Sequence, residues 1–191
     1  WQLAYPGVPL PAVGGVFGAA NAPGGIVSPD FYLQLGAMHG TIMVFMGVVP
    51  LAVGGFGNYV MPLMLGAPDM AFPKINMASY WVYFVGGVVM LASFFVAGGP
   101  AASGWTGYAT LSARAAYTGV DWGQNLWIIS LFILAISSLM GSINYITTLV
   151  NMRAPGMTYF RMPLVIWSLF VTAILLLLAL PVLTSALAML L

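Results

Sequence analysis

The chain has 191 residues, 62% of them hydrophobic and 4% charged, with a net charge of +1 and a mean hydropathy of +1.04. Soluble domains carry about 25% charged residues, so this chain could not cover a soluble surface, and its long apolar runs suit membrane helices rather than barrel strands. The absence of cysteine excludes disulfides, thiolate metal sites, iron–sulfur ligation and cysteine nucleophiles, and the charge balance gives no reason to expect nucleic acid as a partner.

Residues 1–30 are rich in Gly, Pro and Ala and read as an irregular lead-in. Four apolar segments follow that meet the length of about 17 to 25 residues needed to span a bilayer. The first is expected over about 31–65, bent at Pro50 and the Gly54-Gly55 pair. After the proline-punctuated turn GAPDMAFPKIN (66–76) comes the second, about 77–97. A longer loop (98–124) with Trp105, Tyr108, Arg114 and Asp121 precedes the third, about 125–150. The loop NMRAPGMTYFRM (151–162) leads to the fourth, about 163–191, with Pro181 inside it. The expected fold class is all-α: a polytopic membrane helical bundle, read as a single membrane domain. The chain starts at Trp1 and stops within an apolar run, so it is expected to be part of a longer polypeptide.

Lys74, Arg153 and Arg161 fall on one side of the four-helix topology and Arg114 on the other. The excess of basic residues makes the Lys74 side the expected cytoplasmic, or matrix, side.

Three constellations could carry chemistry. His39, the only histidine, lies in the apolar run YLQLGAMHGTIMVFMG (32–47). It follows Asp30 by nine residues, roughly 13 Å along a helix, which places it within the hydrocarbon. An ionisable group there is costly unless neutral and paired. A haem or metal ligand and a buried histidine bonded to a neighbouring helix both satisfy that condition. Gly36 and Gly40 flank it at a spacing that admits a flat group or another helix, and Tyr32 lies on nearly the same face.

At the other end of the same helix, Asn58 is 19 residues beyond His39, roughly 28 Å along an ideal helix. Asp69 follows in the turn, then Asn76 and Ser79. Asp69 could collect protons from the inner aqueous phase with the asparagines holding water behind it, although a lone Asp in a turn more commonly orders the turn or caps the helix. On the third segment Ser130, Ser137 and Asn144 recur every seven residues, with Ser138 beside them and Thr148 continuing the line. Such a stripe either bonds to neighbouring helices or borders a hydrated path. The thirteen methionines are scattered and read as core filling.

The motifs YLQLGAMHGTIM (32–43), GGFGNYVMPLMLGAPDMAFPKIN (54–76), GWTGY (104–108), SSLMGSINYITT (137–148) and NMRAPGM (151–157) occur in the order found in subunit I of the haem–copper terminal oxidases. The chain resembles that family, and GFGN and GAPDM are most similar to its cytochrome c oxidase branch. The resemblance implies an approximately twelve-helix subunit in which His39 is one axial ligand of a low-spin haem and Tyr32 lies near that haem. It implies that Asp69 is the entrance of a proton pathway lined by Asn58, Asn76, Ser79, Ser130, Ser137, Ser138 and Asn144. A high-spin haem and a copper ion are implied too, with ligands outside this chain; one histidine cannot hold a haem between two imidazoles, so this piece is not expected to reduce oxygen alone. The implied partners are cytochrome c, subunits II and III and membrane lipid. The implied location is the bacterial plasma membrane, with the mitochondrial inner membrane as alternative. From the residues alone, a cofactor-free helical transporter or channel with a polar groove is the rival reading. A nitric oxide reductase relative is disfavoured by Asp69 in GAPDMAFP, and a cytochrome b-type bundle by the single histidine.

Overall fold

The computed structural model describes residues 1–10, 12–114, 116 and 122–191; Asp121 lies outside them. Every regular element among these residues is helical. A short helix, α1 (Val13–Asn21), belongs to the lead-in. The helices α2 (Pro29–Leu65), α3 (Pro73–Ala92), α5 (Trp122–Asn151) and α6 (Leu164–Leu190) are the four that are long and apolar enough to cross a membrane. A single turn, α4 (Ala109–Ser112), lies in the long loop. Among the described residues, the all-helical, four-span architecture expected from the apolar runs is what the structure shows.

Local chemistry sets the helix starts. Both α2 and α3 begin on a proline, a few residues ahead of the apolar runs at 31 and 77. Proline is at home in the first helical turn, where its missing N–H would be unpaired anyway, and its fixed φ suits the helix. Ser28 completes the start of α2 by accepting a hydrogen bond from the Phe31 N–H at 3.3 Å. At the other end of α2, Gly66 takes φ 73°, the left-handed conformation that ends a helix without a Cβ penalty. The middle of α2 departs from an ideal helix: Ile42–Val48 and Pro50–Gly57 are wide π turns. The ideal-helix rise between His39 and Asn58 therefore does not apply through these residues.

Contacts divide the chain into two compact units. The first comprises residues 1–44, 87–130 and 189–191. Its core includes Phe31, Met38, Met90, Trp127 and Ile128. Buried polar groups are paired there as the low dielectric demands. Gln34 Nε2 donates to the Gly98 carbonyl at 2.8 Å, Trp127 Nε1 donates to Thr41 Oγ1 at 3.1 Å, and Ser103 and Gln124 bond to each other.

The second unit comprises residues 45–86 and 131–188. Met61, Leu65, Met70, Tyr145, Leu149, Met162, Ile166 and Ala173 form its core cluster. Main-chain pairing joins the end of α2 to the 151–162 loop, with Ala154 N–H donating to the Leu65 carbonyl at 2.9 Å.

Candidate functional site

The second unit lines a partly open cavity of about 980 Å³. Asp69, from the turn after α2, lies in its wall with an exposed side chain. Asn58 joins it from α2, Asn76 and Ser79 from α3, and Ser137 and Ser138 from α5. Six of the residues singled out in the sequence thus border one space. The remainder of the wall is apolar, with Leu131, Leu134, Leu169, Leu176 and Leu180 among it.

Asp69 folds back on its own turn: its Oδ1 accepts from the Met70 N–H at 2.7 Å. The turn itself is held from α5. Asn144, fully buried, accepts from the Phe72 N–H at 2.9 Å and donates to the Phe72 carbonyl at 3.3 Å. Thr148 accepts from the Ala71 N–H at 2.9 Å. One amide side chain thereby bonds the main chain as a neighbouring strand would, and the position of Asp69 rests on it. Asn144 is thus a turn anchor and is not among the cavity-lining residues; neither is Ser130, which is buried in the first unit.

Hydroxyls and amides around the cavity are only partly spoken for. Ser137 Oγ donates to the Ser79 carbonyl at 2.7 Å and Ser79 Oγ to the Asn76 carbonyl at 2.7 Å. Asn58 Nδ2 donates to the Gly54 carbonyl at 2.8 Å, while its Oδ1 is buried and accepts from no described residue. A buried acceptor without a partner costs about 1–3 kcal/mol, and water is the usual remedy in a polar space of sufficient size.

The cavity also takes in Tyr83, Ser142 and Tyr145, to which the sequence alone assigns no role, and Tyr80, whose place near a segment end reads in sequence as a membrane-interface aromatic. Their signal was available: Asn76, Ser79 and Tyr83 are spaced as one helical face, and so are Ser138, Ser142 and Tyr145.

His39 lies in the first unit, on an α-helical stretch of α2 with two unlike faces. Phe31, Gln34, Met38 and Thr41 are buried. Tyr32, Gly36, His39 and Met43 recur at spacings of four, three and four residues and form the other face. Tyr32 and Met43 are each 49% exposed, His39 is exposed, and a Cβ at Gly36 would meet nothing within 4 Å. Gly40 differs from Gly36, because the Trp105 ring packs where its Cβ would be, at 3.2 Å. The two flanking glycines therefore serve different surfaces. Gly36 leaves open space on the same face as the exposed His39 imidazole, so the residues present fit a haem that His39 would hold.

These features define a polytopic, all-helical membrane protein with a cavity bordered by carboxylate, amide and hydroxyl groups. The chain belongs to the family described as Cytochrome C and Quinol oxidase polypeptide I, which matches residues 3–191. It is 48% identical over 161 residues to the Nocardia farcinica protein named "Probable cytochrome c oxidase subunit 1-beta", covering 84% of this chain and 27% of that protein. It is 46% identical over 164 residues to cytochrome c oxidase subunit 1 of Synechocystis, covering 86% of this chain and 28% of that protein. The same identity holds over 165 residues with the alternative cytochrome c oxidase subunit 1 of Bradyrhizobium diazoefficiens, covering 86% and 28%. The chain thus spans less than a third of the length of these relatives.

Proposed function

We propose that the chain forms part of the catalytic subunit of a proton-pumping terminal oxidase, providing one low-spin haem ligand and the entrance of a proton path. The observation that carries this reading is the cavity bordered jointly by Asp69, Asn58, Asn76, Ser79, Ser137 and Ser138. The activity proposed for the complete subunit is reduction of oxygen to water with electrons from cytochrome c, which a low-spin haem and a second centre of high-spin haem and copper would support. The ligands of that second centre lie outside this chain, so the chain alone is inactive. Subunits II and III are its proposed partners, in a bacterial plasma membrane with the Asp69 turn on the cytoplasmic side. The excess of Lys74, Arg153 and Arg161 over Arg114 supports that orientation.

His39 would hold the haem through its imidazole, and Tyr32 and Gly36 on the same face would lie beside it. Haem bound there takes up and releases single electrons. Asp69 is exposed on its turn and takes protons from the aqueous phase. Water in the cavity carries them on, ordered by the free Oδ1 of Asn58 and by the hydroxyls of Ser79, Ser137 and Ser138. Asn144 keeps the carboxylate at the mouth by clamping Phe72. Apolar wall residues confine this water, so protons and charge cross by one route and chemistry can work against the membrane potential.

Asp69→Asn in the full-length subunit tests the reading. Turnover and proton uptake are expected to fall about tenfold or more with haem spectra unchanged. Undiminished uptake would leave Asp69 as a turn residue only. A colourless full-length protein whose cavity conducts without oxygen would favour a cofactor-free transporter.

A further inference from the structure

The central part of α2 is unusual. π turns occur mostly as single bulges and often at functional sites, yet here Ile42–Val48 and Pro50–Gly57 are separated only by Val49. Pro50 brings no N–H to the ladder, and Gly47, Gly54, Gly55 and Gly57 offer little side-chain packing to stiffen it. Support comes from outside the helix. Tyr83 Oη, from α3, donates to the Met46 carbonyl at 2.8 Å. Met46 lies four residues before Pro50, where an α-helix would draw its donor from residue 50. Tyr145 Oη, from α5, donates to the Val53 carbonyl.

Gly57 explains how the second bond is possible. Its φ of −60° is open to any residue, so the backbone does not require glycine. A Cβ at 57 would instead collide with the Tyr145 hydroxyl. The missing side chain makes room for the phenol. The consequence reaches Asn58, whose Nδ2 is tied to the carbonyl of Gly54, within the same wide segment. That bond commits the amide to present Oδ1 as its free end. Both tyrosines and Asn58 border the cavity.

We propose that Tyr83 and Tyr145 are positioning residues: their hydroxyls hold the wide segment of α2 on the cavity wall and so hold Asn58 ready to order water. The proposal rests on the proton-path reading above. Tyr→Phe removes one oxygen and keeps the ring, so packing is left in place. In the full-length enzyme, Tyr83→Phe and Tyr145→Phe are each expected to slow proton uptake about threefold or more, the scale of one hydrogen bond, with haem spectra unchanged. Uptake at the parent rate in both variants would overturn the positioning role.

The geometry has its own test. Gly57→Ala should lower the thermal midpoint in the parent and lower it less beside Tyr145→Phe, where the colliding oxygen is gone and the ring carbon at 3.2 Å is the nearest remaining contact. Equal losses in the two backgrounds would show that the hydroxyl does not sit over Gly57 and would overturn the proposal. If Asp69→Asn leaves uptake unchanged while this coupling is found, the proton path has failed and the clamp remains as a helix contact alone. If Asp69→Asn slows uptake and the tyrosine variants do not, only the positioning role has failed.

Discussion

Around His39 the chain offers a single wall: one face of α2, with Tyr32, Gly36, His39 and Met43 exposed along it. Around Asp69 it offers a partly open cavity walled from several sides, because α2, α3, α5 and α6 all contribute side chains to it. The first surface can receive a large group from outside, and whatever completes it must come from elsewhere. The second already holds its carboxylate, amides and hydroxyls about a common space. On the proposed reading, a haem ligand can be offered by one helix face, whereas a water path needs several helices packed together.

Substitutions can break this contrast, beginning with the most severe. His39→Leu in the full-length subunit should abolish the low-spin band in a reduced-minus-oxidised spectrum; an unchanged spectrum would remove His39 as a ligand. Asn144→Ala should cost about 2 kcal/mol, since the N–H and carbonyl of Phe72 both lose their side-chain partner. Proton uptake should slow with it as the Asp69 turn loosens, and thermal denaturation with an uptake assay would read both. The two glycines near His39 should respond in opposite ways. Gly40→Ala puts its Cβ against the Trp105 ring and should lower stability, whereas the Cβ of Gly36→Ala meets no neighbour and should leave stability intact while perturbing the haem spectrum. The same spectral change from both would mean that the two faces are not distinct. The smallest expected effect is Thr147→Val, which keeps the side-chain shape, removes the Thr147 hydroxyl bond to the Ile143 carbonyl within α5 and should cost about 0.5 kcal/mol, the low end for one hydrogen bond. Proton uptake should be unaffected, because neither residue borders the cavity.

The polar stripe on α5 shows where sequence reading reached its limit. Ser130, Ser137 and Asn144 follow a seven-residue spacing, but seven residues are not a whole number of α-helical turns. Leu131, Leu134, Ser138, Ser142 and Tyr145 carry the cavity face, while Asn144 and Thr148 turn toward the 71–72 main chain. Period alone places residues on a stripe without saying which neighbour that stripe meets. Both uses considered for such a stripe occur on one helix, and Ser137 serves each of them. The tyrosines escaped notice for another reason. Aromatic residues in membrane helices suit the interface, and only the packing of α3 and α5 brings the Tyr83 and Tyr145 hydroxyls to carbonyls of α2.

The amino-acid order alone determined that the chain is helical and lies in a membrane. Lipid offers no hydrogen bonds to an exposed backbone, and apolar runs of this length can satisfy their own only as helices. It also singled out His39 and Asp69, since ionisable groups are rare enough here to stand out. Tertiary structure decided which polar groups share the cavity, which serve as anchors, and that α2 widens between residues 42 and 57. Those outcomes depend on the rotation of each helix and on partners far away in the chain, and neither is written in a local spacing.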